Sequence, residues 1–506
     1  MNNKFDFNDL FIFEMANNHQ GNLGHGLRII KEFSEIANSN NIKAAIKLQL
    51  RDLDTFIHPN FKNDNSNKHI PRFLSTKLTS LEFETLLKEM KKNQMITMCT
   101  PFDENSVDRL IDLDVEILKI GSCSANDWPL LEKIAETGKP VICSTGGLNL
   151  KHIDNVVSFF QNRGVHFALM HCVSIYPTPP EKLELNQIAV MRDRYPNVTI
   201  GFSTHEEPEN LTAITIAYAK GARIFERHVG IETEKFKLNN YSSTSQQIVQ
   251  WLQAYKNTVL SCGAQSRPPV DHNEEAALES LMRGVFAIDS IKKGSIIARS
   301  NVFFAMPLQA GQLKSGDWKQ DFVSDRDYEK NEPISDGLAN RPPAPKEIIY
   351  QTIHEIKGML NAARVVVGND FSIEFSHQYG LENFRAIGAV IIDVINRAYC
   401  KKLIIQLPNQ QHPYHYHKKK EETFQVLWGV LETEIGGNKK TLYPGDTLIV
   451  QQGVWHKFWT NSGVIFEEVS TTHFNDDSFY EDKSINKLSR EQRKTKLTNW
   501  GVHQFD

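Results

Sequence analysis

The sequence predicts an α/β chain built on a (β/α)8 TIM barrel, followed by two smaller β-rich units. Three observations carry this. Short runs rich in Ile, Val, Phe and Met alternate with helical-period segments up to about residue 260, as repeated βα units around a parallel sheet require. Eight such runs can be counted, the number that closes a barrel. Polar residues interrupt the runs at their C-terminal ends, the face on which barrel enzymes assemble their sites.

Taken in order, the predicted strands are Leu10 to Glu14, Ala44 to Gln49, Met95 to Cys99, Ile117 to Ile120, Val141 to Ser144, Phe167 to His171, Val198 to Phe202 and Arg223 to His228. Helical segments such as Leu27 to Ala37, Leu81 to Met90, Pro129 to Thr137 and Leu211 to Lys220 lie between or after them. Glu14, Lys47, Thr100, Lys119, Ser144, His171, Ser203, His205 and His228 stand at the strand ends and are expected to converge on one pocket. The barrel is assigned to residues 1–270. The stretch SRPPVDHNEE then reads as a linker. A compact β-rich module follows at 281–340, its strands separated by the turn signal Lys293-Gly294. After the Pro-rich ANRPPAPKE, an amphipathic helix from about Glu347 to Leu360 opens a third unit, 347–506, mostly strands to about Ser470 and ending in a polar, charged tail.

Composition narrows the function. With 506 residues, 40% hydrophobic, 23% charged and a net charge of -4 from 57 basic and 61 acidic residues, nothing asks for nucleic acid or an anionic membrane. The N-terminal MNNKFDFNDLFIFEMANN shows no basic segment leading into an apolar run and cleavage site, and no run is long enough to span a bilayer, so a cytoplasmic location is expected. Six scattered cysteines without a CxxC pair argue against a disulfide framework or zinc ribbon.

The segments FEMANNHQG, CTPFD, LKIGS, CSTGG, HCVSIYPTPPE, GFSTH and ERHVG fall in order along the barrel. Together they resemble the sialic acid (N-acetylneuraminate) synthase family. That resemblance implies a transferase that condenses phosphoenolpyruvate with an open-chain aldose to a 3-deoxy-2-ulosonic acid and releases phosphate. It implies a divalent metal, Mn or Mg, on His205 and His228, where a Lewis acid polarises the aldehyde oxygen. Lys47 and Lys119 match the phosphoenolpyruvate-binding lysines, and Thr100, Ser122, Ser144 and Ser203 match its hydroxyl contacts. Glu14 matches the glutamate aimed at the sugar and the reacting centre. Tyr176 matches as well, and Ser174 stands where the family often has asparagine.

There are departures on the sugar side. Thr204 replaces an aspartate in GFSTH, Asn239 stands for another in KLNNYSS, and Ser124 replaces a glutamate after KIGS. The small module looks like the antifreeze-like (SAF) domain of this family, which implies a homodimer. Its Met306-Pro307 stands where Arg-Pro is typical, which argues against N-acetylmannosamine itself. Phosphoenolpyruvate therefore follows more directly than any particular aldose.

The third unit carries a second pattern, PYHYHKKKEETFQVLWG followed by PGDTLIVQQGVWHKFWTN. His415, His417, Glu422 and His456 fall at spacings that resemble the two cupin motifs, with Gln451 where the second motif usually has proline. Three imidazoles and a carboxylate suit a second divalent transition metal. Metal cupins include sugar isomerases and epimerases, so a sugar isomerase residing in the cupin is one alternative to the barrel synthase. A non-catalytic sugar-binding regulatory protein is the other.

Overall fold

The computed structural model describes residues 5–62, 66–320, 322–340, 342–368 and 371–500. The chain divides into two compact units, Met1–Pro269 and Val270–Asp506.

In the first unit a closed barrel of eight parallel strands runs in chain order: β1 (Leu10–Glu14), β2 (Lys43–Leu50), β3 (Ile96–Pro101), β4 (Ile117–Ile120), β5 (Val141–Ser144), β6 (Phe167–Cys172), β7 (Thr199–Thr204) and β8 (Ile224–His228). Alternation along each strand sorts side chains into two cores. Leu10, Ile12, Ala45, Met98, Ile117, Ile142, Ala168, Met170 and Ile224 fill the barrel. Phe11, Phe13, Ile46, Leu48, Leu118, Cys143, Leu169 and Phe225 point outward into the shell of helices. Continuing the inward set by two residues reaches Glu14, Lys47, Thr100, Lys119, Ser144, Cys172, Ser203 and Glu226. One barrel interior is thus apolar below and polar at its C-terminal mouth.

Parity also corrects one expectation. His171 shares its face with Leu169, so its ring stacks on Phe202 and its Nε2 meets the Leu183 carbonyl at 2.7 Å, in the outer layer. It does not join the pocket.

The helices around the barrel begin with side chains that satisfy their first free N–H groups. Asn22 caps Leu23–Asn40, Thr79 forms a capping box on Ser80–Lys92, Asp103 caps Glu104–Asp112 and Thr244 boxes Ser245–Cys262. Gly201 on β7 has no room for a side chain, because a Cβ there would lie 2.7 Å from that of Ile224.

In the second unit, part of the expected linker is helical. Asp271 caps His272–Glu279, and Glu274 and Glu275 in its first turn favour the helix dipole, although the helix buries no residue. The small module pairs Gly284–Ala287 with Val302–Ala305 and Ile296–Ile297 with Phe322–Val323, all antiparallel, around Val285, Ile291, Ile297, Val302, Leu313, Tyr328 and Ile334.

Further on, helix Pro345–Ala362 packs Ile349, Ile353, Ile356 and Leu360 against a seven-stranded sheet. Its strand order is Thr447–Val450, Glu422–Gly429, Val464–Thr471, Tyr399–Gln406, Ala389–Asn396, Ser372–Ser376, Lys494–Leu497. The opposing sheet runs Asn438–Leu442, Leu431–Ile435, His456–Thr460, His415–Tyr416, Phe479–Tyr480. The charged tail expected from the sequence is built into the fold. Lys494–Leu497 extends the first sheet, Arg490 and Lys494 pair with buried Glu374, and Trp500 is buried.

Candidate active site

Strand register brings the barrel residues together. Glu14 on β1 lies opposite Lys47 on β2 and His228 on β8, and Ser203 on β7 lies opposite Glu226 on β8. Lys47 pairs with Glu14 and, at 2.9 Å, with Glu226. Lys119 donates to Ser144 Oγ at 2.6 Å and lies 3.4 Å from the second oxygen of Glu226. Ser203 donates to Glu226 at 3.1 Å. All six side chains are buried. Burial alone would raise the Glu226 carboxyl, but Lys119 and Lys47 outweigh it and hold the group well below the usual carboxylate range. Burial pushes the Lys47 ammonium down to about 8, against the pull of Glu226.

Around this cluster stand the hydroxyls. Thr100 is buried and its Oγ1 has no partner. Ser122 accepts from the Gly146 N–H at 3.0 Å. Ser174 lies nearby, because a Cβ on Gly146 would sit 2.6 Å from its oxygen and 2.7 Å from that of Ser122. Gly146→Ala must therefore force the Ser122 and Ser174 hydroxyls apart. The variant is expected to raise the KM for the anionic substrate at least tenfold while far-ultraviolet circular dichroism stays that of the parent.

His205 and His228 are neighbours at the mouth, with ring centroids 5.3 Å apart. The Val173 carbonyl meets His205 Nδ1 at 2.9 Å, which places the proton there and leaves Nε2 as a lone pair. Burial, with the neighbouring His205 and Lys47, keeps His228 neutral, its pKa well below the ordinary histidine value. Burial would lower the His205 pKa, but Cys172, the Val173 carbonyl and Glu226 outweigh it and raise it, so a divalent cation would take the place of a proton on His205 Nε2 and meet a neutral ring at His228. Charge balance agrees: the two lysines cancel Glu14 and Glu226, so a divalent ion would supply the excess positive charge that attracts a small dianion. Tyr176 lies 4.2 Å, ring to ring, from His205, and Tyr241 5.1 Å from both Tyr176 and His228. Asn239 is occupied locally, its Oδ1 accepting from the Tyr241 N–H at 3.2 Å in the turn that presents that ring.

The sequence reading passed over Glu226 and Tyr241. The signal for Glu226 was present in IFERH, where Ile224, Glu226 and His228 share one face of β8.

In the second unit, His415, His417 and His456 each offer a ring nitrogen within 4.8 Å of the others. Each Nδ1 is tied to a backbone carbonyl: Pro413 at 2.9 Å, Asp477 at 2.5 Å and Val454 at 3.0 Å. The three Nε2 atoms are left as lone pairs. Glu422 faces two of them, 3.1 Å from His456 Nε2 and 3.4 Å from His417 Nε2. Among these atoms, His456 Nε2 and Glu422 Oε2 are buried acceptors facing each other with no proton between them, an arrangement that a cation satisfies. The four residues fit a divalent transition metal.

A barrel mouth with paired lysines, ringed hydroxyls and adjacent imidazoles suits an enzyme that acts on a small anion. Residues 36–267 match the NeuB family and residues 403–467 match the cupin domain. A spore coat polysaccharide biosynthesis protein E from Chromobacterium violaceum, known as a crystal structure, is 42% identical over 65% of this chain and 98% of its own, with a TM-score of 0.64. N-acetylneuraminate-9-phosphate synthase of Drosophila melanogaster is 41% identical over 131 residues, 26% of this chain and 35% of that one. N,N'-diacetyllegionaminic acid synthase of Campylobacter jejuni is 25% identical over 311 residues, 59% of this chain and 90% of that one. The chain belongs to the NeuB family and is a phosphoenolpyruvate-dependent synthase of the sialic acid synthase type. Among the described residues no helix is long and apolar enough to cross a membrane.

Proposed function

We propose that the barrel condenses phosphoenolpyruvate with an N-acetylmannosamine-like or related aldose, releasing phosphate and a nonulosonic or related 3-deoxy-2-ulosonic acid. The observation that carries this is the buried Lys47–Glu226–Lys119 bridge beside His205 and His228. Lys47 and Lys119 hold the phosphate and carboxylate of phosphoenolpyruvate, with Thr100, Ser122, Ser144 and Ser203 as hydroxyl donors. A divalent ion, Mn or Mg, on His205 and His228 would polarise the aldehyde oxygen. Glu14, Tyr176, Ser174 and Asn239 belong to the sugar side. There the C–C bond forms between the methylene carbon of phosphoenolpyruvate and the aldehyde carbon, water adds at the former C2, and phosphate leaves. Glu14 is placed to hold the aldose hydroxyls and to move a proton at the new alcohol. The protein acts as a cytoplasmic homodimer in this reading.

The test is phosphate release from phosphoenolpyruvate with Mn²⁺ and a panel of aldoses: N-acetylmannosamine, mannose and diamino-sugar analogues. Release with one of them names the substrate, and silence across the panel overturns the reading. A pH dependence also follows. Lys47 loses its proton as pH rises through about 8, so kcat/KM for phosphoenolpyruvate should be level below that value and fall up to tenfold per unit above it. A profile level to pH 10 would remove Lys47 from anion binding.

A further inference from the structure

The cupin interior holds more charge than a metal centre needs. Along the inner face of its seven-stranded sheet, Phe424, Glu468 and Lys402 lie opposite one another on neighbouring strands, and Glu422 lies opposite Ser470. Part of the interior is apolar, filled by Ile391, Ile404, Phe424, Val426, Phe458 and Phe466. Interleaved with these, Glu374, Lys402, Lys420, Glu422 and Glu468 are all buried. Burying each such ion costs several kcal/mol, and apolar residues of similar size commonly serve stability as well or better. A merely structural barrel would extend the apolar part instead.

The arrangement at the metal-ligand cluster is specific. Lys420 pairs with Glu422 and, at 2.9 Å, with Glu468 Oε1, which also accepts from Ser470 Oγ at 3.3 Å. Lys420 therefore fixes a second carboxylate, which is not among the four candidate ligands, next to them. Beside His415 lies a neutral hydrogen-bonding wall. The His412 ring is 4.7 Å away and the Tyr480 ring 5.6 Å, and Gln378 bonds His412 at 3.0 Å. Gln378 Oε1 and His412 Nδ1 are buried without partners, an acceptor and a ring nitrogen available to hydroxyl groups of a ligand.

We propose that this interior is a second active site, in which Glu468 shuttles a proton between adjacent carbons of an unsubstituted aldose or ketose. Glu468 takes the proton from the carbon bearing the hydroxyl and returns it to the neighbouring carbonyl carbon. The hydroxyl proton moves from one oxygen to the other. Aldose and ketose differ only in the places of these two protons, so the step balances with no oxidant, reductant or co-reactant. Lys420 is a positioning residue that holds the Glu468 carboxylate. The inference does not depend on the barrel's activity, and its test keeps the two apart.

The full-length chain, loaded with Mn²⁺, is incubated in D2O with a panel of aldopentoses and aldohexoses. Deuterium at the exchanged carbon is read by NMR and bound metal by elemental analysis. One sugar should gain solvent deuterium and yield its ketose. Glu468→Gln should slow this by about 10²-fold to 10⁴-fold, the usual range for a lost general base, while keeping the parent's metal content and its barrel-dependent phosphate release. His415→Ala should lose metal from the cupin and the exchange together. Glu468→Asp, which keeps the carboxylate, guards against a folding artefact and should retain more exchange than Glu468→Gln. Sugar binding without exchange, no exchange from any sugar with metal bound, or undiminished exchange in Glu468→Gln would each overturn the proposal.

Discussion

His228→Ala is expected to lower phosphate release from phosphoenolpyruvate by about 10³-fold or more, with the barrel still folded. His228 ends β8, its register neighbour across β1 is Glu14, and its ring lies 5.3 Å from that of His205. Burial keeps it neutral, so it presents a lone pair rather than a charge. Loss of a Lewis acid removes several kcal/mol of transition-state stabilisation, and each 1.36 kcal/mol is about tenfold in rate. The variant removes one imidazole and no buried charge, so its thermal transition should stay within a few degrees of the parent. Metal analysis completes the measurement: the parent should bind one equivalent more than the variant, while the cupin keeps its own. Activity within tenfold of the parent at saturating Mn²⁺ would show that the barrel does not work through this residue.

Much of this site was legible in the sequence because a parallel barrel converts a linear pattern into a three-dimensional one. Each strand contributes an inward residue at or near its C-terminal end, so Lys47, Lys119, Ser144, Ser203 and His228 could be placed from the strand pattern alone. What escaped needed the phase of each strand. His171 and Cys172 both end β6, and only the alternation from Ala168 through Met170 shows that Cys172 points inward and His171 outward. Glu226 was passed over because a charged residue inside a strand resembles an interruption until its partners are known, and those partners sit on β2 and β4, more than a hundred residues away. The C-terminal tail misled for a related reason. It reads only as a polar, charged tail, yet Lys494 and Arg490 reach Glu374 on a strand closed by antiparallel pairing across 120 positions. Polar residues that are satisfied only at long range carry no local sign of burial.

The buried carboxylate on β8 gives the second large prediction. Glu226 receives Lys47 at 2.9 Å on one oxygen, lies 3.4 Å from Lys119 with the other, and accepts from Ser203 at 3.1 Å. Glu226→Gln keeps the shape and removes the anion. The amide oxygen can still accept from one lysine, but Lys119 then has no anionic partner and only the Ser144 hydroxyl on its other side, and Lys47 keeps Glu14 as its one anion. Breaking a buried ion pair from one side costs about 3–5 kcal/mol, because the remaining charge stays desolvated. For a domain of this size each kcal/mol moves the midpoint by about 2–4 °C, so the barrel's transition should fall by roughly 10 °C. Phosphoenolpyruvate should partly restore it, since the ligand brings the missing negative charge to the same two ammoniums. Its stabilising shift should exceed the shift it gives the parent. Adding Lys119→Met to Glu226→Gln should recover part of the lost stability without the ligand, because the second substitution removes the stranded cation. If the single variant melts within 2 °C of the parent and phosphoenolpyruvate shifts both equally, the bridge contributes no net charge compensation, and the lysines must be held by Glu14 and the surrounding hydroxyls instead.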